Sequence, residues 1–229
     1  MQIRHEFGIQ GAGRATGATV VIDVFRAFSA AAYALAAGAV EIILTREVEE
    51  ARNAALAFPG AVLMGEVAGV RPNGFALGNS PGEIVANPAA VIDQTVVHRS
   101  SAGTQCALAA WQAGAGPLYV ASLVVASATA TAVTAEPTVT MVSSGESGVG
   151  PSEEDEVCAM VIDGLLRGDS SRLATCGHEV ASCDRAEFLR KSSFAHPRDV
   201  ALCADTDAFS FAMRAELKDG LVRVRRVEV

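Results

Sequence analysis

The chain has 229 residues, of which 50% are hydrophobic and 19% charged, with a formal charge of −8 and a sequence pI near 5.0. That apolar content supports one large core or two modest ones and excludes a disordered chain. The acidity, with no Lys/Arg run and no interleaved aromatic platform, argues against nucleic acid or an anionic membrane as a partner.

Residues 1–7 carry charges at Arg4, His5 and Glu6 and no apolar run, so they do not read as a signal peptide. The β-branched run at residues 19–22 predicts a buried strand, with Asp23 at its exit and an Ala-rich helix over residues 27–37. Residues 41–44 predict a second strand, and residues 48–58 an amphipathic helix stopped by Pro59 and Gly60. Residues 61–66 repeat the first theme, an apolar run ending in an acid, Glu66. A Gly/Pro/Asn-rich loop then spans residues 69–81, longer than a simple connector needs.

A short helical segment is expected over residues 83–87, a strand over 95–98 and a helix through Trp111, ending near Gly114. The uncharged stretch 117–135 divides into a strand at 118–121 and a helix packed on the sheet, so no membrane span is expected. Residues 138–142 predict another strand, followed by a glycine-rich loop and a helix over about 152–166. In the tail, residues 199–204 and 221–227 read as strands, the latter alternating as an edge strand would. This alternation implies an α/β fold of three layers, a largely parallel sheet, mixed at the edge, covered on both faces. Residues 1–229 read as one domain, with room for a small C-terminal lobe from about residue 170.

Cys106, Cys158, Cys176, Cys183 and Cys203 are scattered and odd in number, which fits a reducing cytoplasm. Cys176, His178 and Cys183 lack a paired framework and a fourth ligand, so no metal is assigned to them. There is no Walker A sequence, no GxGxxG after a strand and no GxSxG elbow. Phe25 occupies the place of the second acid in a DxD pair.

Candidates for chemistry lie where strands end. Asp23 and Glu66 both terminate apolar runs, and a parallel sheet would bring them to one edge. Mg²⁺ takes one or two carboxylates plus water and phosphate oxygens. Spacing alone leaves open whether these acids hold a metal, cap the next helix or pair with an arginine. Glu154 and Asp155 open a helix after the glycine loop, and either one reaches the same edge in this reading. Arg26 and Arg99 follow strand exits and have bidentate capacity for a phosphate. Ser101, Gly103 and Thr104 join a strand to a helix N-terminus suited to an anion, and Asn79 and Ser80 form a tight turn open to the same use.

Taken together, the sequences VIDVFRA at residues 21–27, GE at 65–66, GFALGNSP at 74–81, SAGT at 101–104, ASLV at 121–124 and ED at 154–155 resemble the 2-phosphosulfolactate phosphatase family. The resemblance implies an α/β/α fold and a Mg²⁺-dependent phosphatase releasing sulfolactate and phosphate in coenzyme M biosynthesis. It points to Asp23, Arg26, Glu66, Asn79, Ser80, Gly103, Thr104, Glu154 and Asp155. Two positions depart from the family pattern: Ala76 replaces an acid and Ala102 an asparagine, which predicts a more apolar pocket less selective for a sulfonate.

The sequence reading is therefore a phosphatase acting on a small anionic phosphate ester, with Asp23, Arg26 and Arg99 as catalytic groups. Asn79, Ser80, Ser101, Gly103 and Thr104 bind substrate, and Asp23, Glu66, Glu154 and Asp155 hold Mg²⁺. The alternative is a non-catalytic binding protein for a phosphorylated or sulfonated metabolite. Neither nucleic acid nor membrane is an expected partner, and the reading leaves a homodimer open.

Overall fold

The computed structural model describes residues 1–229. The first part of the chain forms β1 (Gln2–Phe7), α1 (Gly8–Ala12), β2 (Ala18–Ile22), α2 (Ala27–Ala36), β3 (Glu41–Thr45), α3 (Val48–Ala55) and β4 (Val62–Gly65). The middle forms α4 (Pro81–Ala86), β5 (Thr95–Arg99), α5 (Gly103–Gln112), β6 (Leu118–Ala121), α6 (Ala126–Val133), β7 (Thr138–Ser143) and α7 (Glu153–Leu166). The tail forms α8 (Cys176–Ser182), α9 (Asp184–Lys191), α10 (Asp199–Cys203), β8 (Phe211–Lys218) and β9 (Leu221–Glu228).

All nine strands join one sheet in the order β1-β7-β2-β6-β8-β9-β3-β5-β4. Successive side chains of a strand point to opposite faces, and every residue of β2, β3 and β6 is buried, so helices cover both sides there. This is the expected α/β architecture. Five of the six alanines of α2 (Ala27, Ala30, Ala31, Ala32 and Ala34) are buried, and their small side chains let the helix lie close on the sheet. Ser80 caps α4 by accepting the Glu83 N–H at 3.1 Å, and Pro81 occupies the first turn, where no N–H is needed. All five cysteines are free and buried, and no helix is long and apolar enough to cross a membrane.

Three expectations are corrected. The antiparallel strands lie in the middle of the sheet, not at its edge: β8 pairs with β6, β9 with β3, and the two with each other, all antiparallel. The alternation in residues 221–227 reports one solvated face of a central hairpin, where Arg214, Glu216 and Lys218 stay exposed. Residues 199–203 form a helix; Asp199, Val200 and Cys203 are buried at helical spacing, and an apolar run of five does not distinguish helix from strand. Sequence reasoning also passed over β1, whose mostly exposed residues show no alternation.

The central hairpin has a topological consequence. Three antiparallel pairings separate β6 from β3, so β3, β5 and β4 run opposite in sense to β6, β2 and β7. The loops leaving the two blocks nevertheless meet: the Gly103 N–H, after β5, donates to Asp23 Oδ2, after β2, at 2.9 Å.

Glu41 at the start of β3 locks the hairpin to the second block. Its buried carboxylate accepts from Arg223 Nη1 at 3.0 Å and from Arg225 Nη2 at 2.7 Å and Nε at 3.1 Å, all from β9. Breaking a buried ion pair from one side leaves an uncompensated charge and costs about 3–5 kcal/mol. Glu41→Gln is expected to lower unfolding free energy by about 3 kcal/mol, read as a lower urea midpoint with unchanged slope.

Candidate active site

The site forms where loops from both blocks converge on a cavity of about 700 Å³. Asp23 leaves β2 fully buried, with Oδ1 accepting the Ala27 N–H at 2.9 Å and Oδ2 the Gly103 N–H at 2.9 Å. A Cβ at Gly103 would lie 2.6 Å from Asp23 Oδ2, so only glycine lets the α5 N-terminus approach this closely. Gly65 ends β4 at φ +144°, where a Cβ would meet the Arg99 carbonyl oxygen at 2.0 Å. That turn delivers Glu66 into the cavity.

Glu66 organises the loop around it. Oε1 accepts the Ser101 N–H at 2.5 Å, and Oε2 accepts Ser101 Oγ at 3.0 Å and the Gly69 N–H at 2.5 Å. Asp155, in the first turn of α7, staples two strand exits: Oδ1 accepts the Val24 N–H at 2.7 Å and Oδ2 the Gly145 N–H at 3.0 Å. Glu154 beside it is also buried, but its Oε2 has no hydrogen-bond partner.

Arg26 is held from behind. Its Nη1 donates to Asp199 Oδ2 at 2.6 Å, and Asp199 also accepts Ser80 Oγ at 2.7 Å and the Gly82 and His196 N–H groups at 2.9 and 3.0 Å. One buried carboxylate thus ties the α4 turn, the α10 start and the arginine together. Asn79 lines the cavity, and its Oδ1 receives a hydrogen bond from His98 Nε2 at 2.6 Å. Burial pushes His98 down to about 3, so it is neutral at physiological pH and its Nε2–H is the donor to the amide oxygen. The Asn79 amide nitrogen is thereby left for other partners.

The electrostatics are lopsided. Eight carboxylates line the cavity (Asp23, Glu66, Glu146, Glu153, Glu154, Asp155, Glu156 and Asp184) against two arginines, Arg26 and Arg185. Burial raises Asp23 to about 6, with Glu66 and Glu154 adding repulsion against the stabilising N–H bonds. Asp155 is raised well above the usual carboxylate range by burial and by Asp23 and Glu154, and Glu154 is raised chiefly by burial. No three of these acids converge as a ready-made metal cage.

Of the residues singled out from sequence, Asp23, Arg26, Glu66, Asn79, Ser101, Glu154 and Asp155 come together on the cavity wall. Gly103 contributes its N–H to Asp23 from behind that wall. Arg99, Ser80 and Thr104 do not face the cavity. Arg99 donates to the Arg46 and Glu66 carbonyls at 3.0 and 2.5 Å and to Ser101 Oγ at 3.0 Å, so its guanidinium holds the loop. Ser80 is taken up by Asp199 and the cap of α4, and Thr104 exchanges hydrogen bonds with Ser100. Ala102 lines the cavity, whereas Ala76 is exposed and outside it. Asp199, His98 and Arg185 carried no local sequence signal, since each acts on a residue far away in the chain.

A sequence profile described as 2-phosphosulpholactate phosphatase matches residues 8–216, spanning every strand exit just described. The chain belongs to this phosphatase family. Among its relatives, a Bacillus subtilis protein named "Probable 2-phosphosulfolactate phosphatase" is 29% identical over 223 residues, covering 91% of each chain. A Thermotoga petrophila protein of the same name is 30% identical over 200 residues, covering 83% of this chain and 85% of its own. A Deinococcus radiodurans protein, again so named, is 40% identical over 111 residues, 48% of this chain and 45% of its own. In this family member the matched segment ends inside β8, so the profile includes Asp199.

Two outcomes follow for the site. His98→Gln, which retains a side-chain N–H donor, is expected to keep catalytic efficiency within about tenfold, whereas His98→Leu loses more, because the amide of Asn79 is no longer held; steady-state kinetics compare them. For Glu154, the native state binds a proton more tightly than the unfolded chain, so stability falls as pH rises from the ordinary value of 4.5 through the raised one. In chelator, Glu154→Gln is expected to melt higher than the parent at pH 8 and equally at pH 4, measured by calorimetry.

Proposed function

We propose that the protein is a Mg²⁺-dependent hydrolase of a small phosphate monoester of the 2-phosphosulfolactate kind. The observation that carries the reading is one cavity in which buried, mutually repelling carboxylates face an arginine held in place by Asp199. Charges packed this way are costly without a cation. Glu154, with Asp23 or Asp155, would hold the ion: each Asp23 and Asp155 oxygen keeps a lone pair beyond its single N–H bond, and Glu154 Oε2 is unpartnered. Glu66, whose Oε2 already accepts both an amide and a hydroxyl and whose Oε1 accepts a second amide, shapes the loop around it. A bound Mg²⁺ would supply Lewis-acid neutralisation of the phosphoryl oxygens, and it accepts as few as one or two carboxylates.

The chain's own groups do the rest. Arg26 binds the phosphoryl group through the N–H donors that Asp199 leaves free, in a fixed fork that a lysine lacks. The amide nitrogen of Asn79, turned by His98, offers further donors to the ester. Eight acids against two arginines would repel a polyanionic ester, so cation binding and substrate binding are coupled. The names of the relatives favour turnover over a purely binding role, and the exposed position of Ala76 removes one reason to expect a loosened pocket.

The test is phosphate release from 2-phosphosulfolactate with Mg²⁺ and with chelator. Turnover is expected only with the metal; no release from this or any small monoester in Mg²⁺ would overturn the reading. Arg26→Lys is expected to weaken inhibition by inorganic phosphate by about tenfold or more, the loss of a charge-assisted bidentate contact.

A further inference from the structure

Beyond the phosphate site, the cavity mouth carries a second arginine whose surroundings parallel those of the first. Arg26 lies with its guanidinium carbon 5.5 Å from the ring centroid of Phe194, and Arg185 with its own 4.9 Å from that of Phe188. The two rings are neighbours, with centroids 6.1 Å apart. All four residues line the same cavity. Two guanidiniums are thus mounted side by side on one aromatic pair, which orients them without consuming their N–H groups.

The two differ in how they are held. Arg26 is 5% exposed and locked to fully buried Asp199, whereas Arg185 is 32% exposed and its only ion pair is with Glu146, 64% exposed, at 3.3 Å. An ion pair that long and that exposed contributes little. A ligand anion can replace the Glu146 carboxylate on Arg185 at small cost. The cavity has no third arginine or lysine.

We propose that Arg185 is the specificity-determining residue that binds a second acid group of the substrate, with Glu146 occupying its place in the free protein. The substrate class is then a phosphate ester bearing a carboxylate or sulfonate. Arg26 takes the phosphoryl group, and Arg185 takes the distal acid. This rests on the phosphatase reading for turnover but not for binding.

The experiment compares 2-phosphosulfolactate with glycerol 2-phosphate, which has a hydroxymethyl group in place of the carboxylate and a hydroxyl in place of the sulfonate. Arg185→Met, which keeps an apolar stem over Phe188, is expected to raise KM for the first ester about tenfold more than for the second. Glu146→Gln is expected to lower KM for the first ester only, since it frees Arg185. Equal effects of Arg185→Met on both esters, or a KM for phosphosulfolactate that neither variant moves, would overturn the proposal. If the parent hydrolyses neither of these nor any other small monoester in Mg²⁺, the phosphatase reading fails. Both esters then stay intact and are titrated calorimetrically in Mg²⁺ against the same variants. A loss of affinity confined to phosphosulfolactate in Arg185→Met sustains the clamp, and equal losses or no binding of either ester refute it.

Discussion

The bond on which this structure depends is a buried carboxylate oxygen accepting a backbone N–H from a loop distant in sequence. Asp23 receives Gly103, Asp155 receives Val24, Glu66 receives Ser101, and Asp199 receives Gly82. Loops at strand exits leave backbone donors without a ladder or helix partner, and such groups must be satisfied if they are buried. A hydrogen bond to a charged acceptor contributes about 1.5–3 kcal/mol, enough to fix a loop that packing alone would leave loose. The same carboxylates that tie the loops also make the cavity strongly negative.

That arrangement sets stability against function. Burial and repulsion raise Asp23 and Asp155 above ordinary carboxylates, so the ionised site is held at a cost that the surrounding fold absorbs. The cost is met by a large alanine- and valine-rich core on both sheet faces and by the Glu41 cluster across β3 and β9. Where a carboxylate oxygen is doubly occupied, as in Glu66 Oε2, it serves geometry. Where an oxygen is left over, as in Glu154, it is available for chemistry.

The central hairpin explains why the cavity lies where it does. A single parallel sheet would place its strand exits along one edge, whereas this sheet consists of two parallel blocks of opposite sense. Their exits nevertheless meet, and the cavity is walled by β2 and β7 loops on one side and β4 and β5 loops on the other. The tail then completes it: α9 and the turn before α10 bring Arg185, Phe188, Phe194 and Asp199 to the mouth and floor. Residues after 170, the least legible part of the sequence, therefore contribute as much to the site as the motifs do.

The sequence by itself determined the α/β class, the acids Asp23 and Glu66 at strand exits with Glu154 and Asp155 at a helix start, and the family. Strand-helix alternation is a short-range property; Asp23 and Glu66 stand where apolar runs stop, and Glu154 and Asp155 where a helix opens after a glycine loop. Tertiary structure alone decided the rest. Arg99, like Arg26 near a strand exit, turns to backbone carbonyls, while Arg26 turns to the cavity because Asp199 waits there, 173 residues away. His98 read as an ordinary strand residue until its ring met Asn79. Residues 199–203 coiled and residues 221–227 moved to the sheet centre because burial against distant neighbours overrides local pattern. Periodicity encodes which face of an element is buried; it carries no record of the partner that buries it, and a site made of such partnerships exists only once the chain has folded.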